Sequence, residues 1–208
     1  DIEMEYKNNT TGGEFKPVDT DKKVFNEEAL WEPGHVEYVV LKIRNAGNLA
    51  LKYKLGINIA NEVGSTNVDG NAFNLSDYIR FAVMDDDKSS LGRDDLVAAA
   101  ERVGSKLIKE GYTKESQLRT ATDTNEALKN DETVTLVVWM PKSVGNEANY
   151  KVAEGITAPS IDLGINVVAT QYMHESDSFG NTYDKDATYP VIDLASLKDA
   201  IKNGGNVA

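Results

Sequence analysis

The alternation of apolar and polar positions is most regular over residues 31–59. Every odd position of residues 49–59 is apolar, and the even positions are polar or small. A helix could not use this period of two, because its apolar face recurs every 3.6 residues. The preceding strand repeats the pattern, with an apolar face formed by Val39, Leu41 and Ile43. The sequence therefore predicts a hairpin whose turn lies at residues 45–48.

The apolar faces of these two strands must be covered by other parts of the chain. A pair of strands with one apolar face each is not stable alone in water and needs a second sheet. The same alternation recurs at residues 78–84, 133–140 and 161–171, which predicts three more strands. We therefore expect a mainly β protein, built as an antiparallel β-sandwich.

The first seven residues of the chain also alternate. Ile2, Met4 and Tyr6 lie on one side of this predicted strand, and charged residues lie on the other. The loop that follows contains Gly12 and Gly13, which favour flexibility. This segment is either an edge strand of its own sandwich or a strand that is free to pair with another molecule.

The period changes to that of a helix after residue 94. Apolar residues then recur at helical spacing as far as Leu107, with Asp94 or Asp95 as N-cap and Gly111 as the stop. For residues 113–131 we expect a short helix and loop. The sequence thus predicts a helical insertion at about residues 94–130, lying over one end of the sandwich.

The end of the chain is also helical in pattern. Asp193 is a suitable N-cap, and Gly204 and Gly205 are suitable stops. We expect residues 1–190 to form the sandwich domain and residues 191–208 a helix that leads into a further, incomplete domain. Because the chain begins at Asp1 without methionine, we also expect that it is cut from a longer precursor.

Composition excludes several classes of function. The net charge of −12 repels phosphate backbones and anionic lipids, so nucleic acids and membrane surfaces are poor partners. No apolar run approaches the roughly 20 residues that a membrane-spanning helix needs. The absence of cysteine excludes disulfides, thiolate metal sites and thiol catalysis.

Candidate catalytic residues are scarce, because the chain has only two histidines. His174-Glu175 begins like a zinc-peptidase helix, but Ser178 stands where the second histidine is needed. His35 follows the turn Pro33-Gly34 and fits an ordinary exposed residue. The sequence therefore indicates no catalytic residues and favours a protein that is not an enzyme.

Calcium is the metal that the sequence could best support, because calcium binds six to eight oxygen atoms and carboxylates are plentiful. The candidate ligands lie at the end of one predicted strand and in one later loop: Asp85, Asp87, Asp177, Asp184 and Asp186. Neither group has the spacing of an EF-hand loop. The sequence therefore favours a solvated acidic surface, with no metal or other cofactor, over a calcium site.

Two blocks of the sequence resemble the TasA/camelysin family of exported Gram-positive proteins, whose leader is removed by a dedicated signal peptidase. The first block is WEPG, a strand, an Asn-x-Gly turn and LALKYKLGINI, which ends at residue 59. The second is LGINVVATQYMHESDSFGNTYD, at residues 163–184. The resemblance implies a jelly-roll sandwich, secretion to the exterior or cell surface of a Gram-positive bacterium, and a role in surface or biofilm-matrix fibres.

The resemblance also implies a mode of assembly. In fibrous members of the family, the N-terminal strand of one subunit completes a sheet of the next. That role would fall here on Ile2, Met4 and Tyr6. The implied partners are copies of this chain or homologous matrix subunits, joined by β-strand addition.

Two other functions remain open. Camelysin-type members of the family are classed as metalloendopeptidases, although this sequence lacks a zinc-binding motif. The other is a non-catalytic adhesive or binding module of a larger surface protein. A carbohydrate ligand would then require aromatic side chains such as Trp139 or Tyr172 to line a groove.

Overall fold

The computed structural model describes residues 1–18, 24–25, 30–123 and 128–171, and these form a mainly β structure of antiparallel strands. The strands, in chain order, are β1 (Ile2–Asn8), β2 (Lys16–Pro17), β3 (Val36–Asn45), β4 (Leu51–Val63), β5 (Ser65–Thr66), β6 (Ala72–Phe73), β7 (Arg80–Asp85), β8 (Lys106–Leu107), β9 (Tyr112–Leu118), β10 (Asp131–Trp139) and β11 (Ser160–Gln171). The α-helix of the described residues is α1 (Arg93–Val103).

Two sheets face each other across the main core. The larger has the strand order β2-β1-β3-β10-β7-β8, and the smaller has the order β11-β4-β9. The alternating apolar residues of both sheets meet between them, which confirms the predicted sandwich. The largest fully buried members of this core include Tyr53, Phe81, Leu41, Ile43, Leu55 and Leu136.

The predicted hairpin is wrong, because its two strands lie in different sheets. β3 pairs with β1 and β10, whereas β4 pairs with β11 and β9. The connection between them therefore crosses from one sheet to the other, and Leu49 within it is exposed rather than apolar core. Alternation identifies the inward face of a strand but not its hydrogen-bonded neighbour. The apolar faces of β3 and β4 both belong to the core between the two sheets.

Asn45 organises this crossing. Its side chain is buried, accepts a hydrogen bond from the Gly47 N–H at 2.9 Å and donates one to the Leu49 carbonyl at 2.9 Å. A further hydrogen bond of 3.4 Å runs to the carbonyl of Leu118, at the end of β9. One buried amide thus joins the end of the larger sheet to the smaller one.

β4 and β11 carry the same tetrapeptide, Leu-Gly-Ile-Asn, at residues 55–58 and 163–166. In the antiparallel register Gly56 lies opposite Asn166, and Asn58 lies opposite Gly164. Each asparagine side chain approaches the glycine across from it, so that a Cβ atom on Gly56 would lie 2.2 Å from Asn166 Oδ1. The two glycines leave room for these amides on the sheet surface.

α1 differs from its prediction in both length and position. It ends before Gly104, whose φ of 102° disfavours other residues, rather than at Gly111. Instead of capping one end of the sandwich, it packs on the outer face of the larger sheet, where Leu96 and Ala100 are buried. Trp139 is covered there and is 2% exposed, so it cannot line a ligand groove.

Residues 113–131, predicted as short helix and loop, contain strand β9. Its alternation was hidden because the inward positions include polar residues: Tyr112, Lys114, Ser116 and Leu118 are buried or half-buried. The residues between them are exposed. A strand whose inward side chains are polar has no apolar periodicity to reveal it.

The predicted C-terminal helix at 191–208 lies outside the described residues, as does Tyr172. Within the part of the chain that is described, no helix is both long and apolar enough to cross a membrane.

Candidate functional site

The N-terminal strand β1 lies near the edge of the larger sheet. It pairs with β3 over its whole length, from Ile2 to Asn8. Among the described residues, its outer edge pairs with the two-residue strand β2, opposite Glu5 and Tyr6, and the Val18 N–H donates to the Met4 carbonyl at 2.9 Å. β1 therefore has one complete neighbour and one very short one.

The three residues predicted to act in assembly face the main core of their own molecule. Tyr6 is buried, and Ile2 and Met4 are partly buried against the same cluster. Of the two alternatives left open by the sequence, pairing within its own sandwich is the arrangement found in this structure, although β2 and not β1 is the strand at the edge.

Charged residues on the opposite face of β1 make ion pairs with two other parts of the sheet. Glu3 pairs with Arg44 on the adjacent strand, where both side chains are about half exposed. Lys7 pairs with Asp87, which follows β7, and its side chain is only 11% exposed. The Lys7 ammonium also lies 5.1 Å from the centre of the Phe15 ring.

The calcium candidates that the structure describes do not converge. Asp85 Oδ1 lies 3.1 Å from the Lys114 ammonium nitrogen, and Asp87 forms an ion pair with Lys7. Among the described residues, no three His, Cys, Asp or Glu side chains form a group that could hold a metal ion. The other three candidates, Asp177, Asp184 and Asp186, lie outside the described part of the chain.

A half-buried ionic cluster joins the two sheets on the side of β9. The Lys114 ammonium contacts Glu132 on β10, and the Tyr53 hydroxyl on β4 donates to the same carboxylate at 2.6 Å. The sequence does not predict this cluster, because β9 lacks the apolar alternation of a strand and its contacts with Glu132 and Tyr53 join distant parts of the chain.

The protonation states of this cluster favour ion pairing. Burial opposes ionisation of Glu132, but hydrogen bonds from Lys114, Ser116 and Tyr53 outweigh burial and lower its pKa. Burial likewise opposes the charge on Lys114, yet Glu132 and Asp85 raise its pKa. Burial, followed by the contact with Glu132, raises the pKa of Tyr53.

These directions argue against acid–base or nucleophilic chemistry at the cluster. A protonated lysine has no lone pair for attack, and a carboxylate with a lowered pKa is a weak base. The contacts of Glu132 instead join β10 of the larger sheet to β4 and β9 of the smaller one. We therefore assign the Lys114–Glu132–Tyr53 cluster a structural role.

An open groove of about 860 Å³ lies between the two sheets beside β11. Its lining includes the core residues Leu41 and Leu75 and the β11 residues Ile161, Leu163 and Ile165. Trp31 of the WEPG segment also lines it, although no feature of the sequence identified that role.

His35 stands at the start of β3. Its Nε2 lies 3.1 Å from Glu37 Oε1, and its ring meets Trp31 edge-on with centroids 5.0 Å apart. His174 lies outside the described residues. The contacts of His35 are those of a residue packed at a strand end.

Comparison with known proteins adds no relative to these observations: no family model matches this chain, and no curated protein matches its sequence.

Proposed function

We propose that this protein is a structural component of a bacterial surface or extracellular matrix and assembles by exchange of strand β1 between copies. The observation that carries the proposal is the placement of β1. It has an apolar face of Ile2, Met4 and Tyr6 and pairs in full register with β3 on one side. On its other side, within the described part of the chain, it meets only the two-residue strand β2 and the N–H of Val18. The resemblance of residues 31–59 and 163–184 to exported matrix proteins supports the same function.

Strand exchange needs few new contacts, because an exchanged strand makes in a second copy the contacts it makes in its own. The same backbone hydrogen bonds to β3 and the same apolar burial would be formed between molecules. The loop after β1 contains Gly12 and Gly13 with φ angles of 69° and 87°. Glycine adopts these positive φ angles readily, and because it has no side chain it also lets the connection change conformation when β1 leaves its sheet.

The proposal predicts that tying β1 to its own β3 prevents assembly. Glu5 and Lys42 are directly opposite each other on the outer face of the sheet. Cα atoms of opposed residues are about 4.5–5.5 Å apart, within the range of a disulfide. Because the chain has no cysteine, Glu5→Cys with Lys42→Cys should form one defined bridge. Oligomers or fibres, measured by light scattering and electron microscopy, should be absent when it is oxidised and return on reduction.

A matched tether away from β1 is the control. Lys54 and Glu115 are opposed on β4 and β9, so Lys54→Cys with Glu115→Cys joins two strands of the smaller sheet. This variant should assemble in both redox states. Assembly of the oxidised Glu5–Lys42 variant at the level of the unmodified protein would overturn the proposal.

A further inference from the structure

The loop at residues 86–89 extends from the end of β7 towards β1, although two strands separate them in the sheet. The order β1-β3-β10-β7 places β10 and β3 between them. At a spacing of about 4.8 Å between neighbouring strands, β7 and β1 are about 14 Å apart. An ion pair between Lys7 and Asp87 therefore requires the loop to run back over the outer face of the sheet.

Thr135 on β10 holds the loop in that position. Its hydroxyl donates to the Asp86 carbonyl at 2.7 Å and accepts from the Lys88 N–H at 2.9 Å. Thr135 is fully buried, as is Val40, which lies opposite it on β3. Val40 in turn lies opposite Lys7 on β1. Thr135, Val40 and Lys7 are therefore neighbours across three adjacent strands, on the line from the loop to β1.

The side chain of Asp87 is oriented before it meets Lys7. One carboxylate oxygen, Oδ1, accepts hydrogen bonds from the N–H and the hydroxyl of Ser89, at 2.9 and 2.6 Å. The other oxygen, Oδ2, accepts from the Lys7 ammonium. Partial burial opposes ionisation of Asp87, but the contacts with Lys7 and Ser89 outweigh it and lower its pKa.

This pair differs from the Glu3–Arg44 ion pair of β1. Glu3 and Arg44 lie on adjacent strands, and their side chains are 52% and 51% exposed. Ion pairs with that exposure contribute little, because water screens them. Lys7 is largely enclosed between Asp87 and the Phe15 ring, so its pairing is screened less.

We infer that residues 86–89 form a latch that holds β1 in its own sheet and sets how often the strand detaches. Asp87 is the residue of the latch that binds β1, Lys7 is its target, and Thr135 and Ser89 keep the loop in position. The consequence for assembly rests on the proposed function, since strand exchange between copies requires that β1 first leave its own sheet. The latch itself is a property of the single molecule.

The test is to measure hydrogen exchange of the β1 backbone amides in two variants that each remove one carboxylate charge from the loop, Asp87→Asn and Asp86→Asn. Asp87→Asn keeps an oxygen for the Ser89 hydrogen bonds but removes the charge that binds Lys7. Exchange at β1 should become about fivefold faster, while β10 and β4 stay unchanged. Asp86→Asn removes the same charge from the same loop, and asparagine tolerates the φ of 66° at this position. It should leave exchange at β1 unchanged.

A second variant identifies the partner. Lys7→Met keeps an apolar stem beside Phe15 but removes the ammonium, and should match Asp87→Asn. The double variant should exchange no faster than either single variant, because both remove one interaction. Unchanged protection of β1 in Asp87→Asn, or equal acceleration in every strand, would overturn the latch.

Assembly measured on the same samples separates the latch from the proposed function. Faster exchange at β1 together with faster assembly supports both. Faster exchange at β1 with assembly unchanged supports the latch and overturns strand exchange as the mode of assembly. The latch is overturned by unchanged exchange at β1, whatever the assembly assay gives.

Discussion

At the scale of single residues, a buried polar side chain stabilises the connection in which the chain passes from one sheet to the other. Asn45 is 1% exposed and is bound to backbone groups of its own connection and of β9. A buried amide is costly unless it is paired, and removal of one partner leaves the others unpaired. Because Asn45 is polar, the alternation of apolar residues does not identify it as a residue that stabilises the fold.

Asn45→Ala should therefore destabilise the protein by about 1–3 kcal/mol. The substitution leaves the Gly47 N–H and the Leu49 carbonyl without their side-chain partner. Urea unfolding would measure the change. Asn48→Ala, in the same connection at an exposed position, is the control and should change stability by less than about 0.5 kcal/mol. Equal effects of the two substitutions would contradict the role given to Asn45.

At the scale of elements, each strand depends on what lies opposite it. The β4–β11 pair is the longest in the described residues, and the repeated Leu-Gly-Ile-Asn places a glycine under each asparagine amide. Side chains that are directly opposed across an antiparallel pair interact most strongly, so we expect these contacts to favour the observed register.

Gly56→Ala should be destabilising in the natural sequence and neutral or stabilising when Asn166 is also alanine. The new methyl group meets the Asn166 amide, whereas alanine otherwise suits a strand better than glycine. Thermal or urea unfolding of the four proteins would give a coupling of at least about 0.5 kcal/mol. The reciprocal pair Gly164 and Asn58 is the internal comparison, and its wider contact of 2.9 Å should give a weaker coupling. Additive effects at Gly56 and Asn166 would disprove the contact.

At the scale of the whole molecule, the two sheets are joined by apolar burial and by the Lys114–Glu132–Tyr53 cluster. A carboxyl whose pKa is lower in the folded protein stabilises it above the unfolded-state pKa. That stabilisation is lost as the pH falls through the folded-state pKa. For Glu132, the stabilisation is present above its ordinary pKa of 4.5 and declines below it. Lys114, with a raised pKa, stabilises the fold below 10.5 and loses this effect at higher pH.

Glu132→Gln should lower the melting temperature at pH 7 by about 2–4 °C, as expected for the loss of about 1 kcal/mol in a chain of this size. The drop in melting temperature between pH 7 and pH 4 should be smaller than in the natural protein, because one carboxyl no longer titrates. Scanning calorimetry at both pH values would measure this. Glu115→Gln, whose side chain is 60% exposed in its pair with Lys54, should leave the pH dependence unchanged. A pH dependence equal to that of the natural protein would refute the role of Glu132.

Sequence by itself determined where most strands lie and which of their faces is buried. Residues such as Leu55 and Ile57 of β4, or Val134 and Leu136 of β10, point inward as predicted, because side-chain alternation is a local property of an extended chain. It also identified Ile2, Met4 and Tyr6 as one face of a strand. It failed for β9, whose inward residues include Lys114.

Only the tertiary structure decided the partners of each strand. That β3 pairs with β1 rather than β4, that α1 covers Trp139, and that Asp87 reaches Lys7 are contacts between distant parts of the chain. Such contacts depend on how sheets stack and how loops cross them. The local pattern of apolar residues does not say which parts of the chain make these contacts. Any apolar surface that covers an apolar face removes it from water, because the hydrophobic effect is not directional.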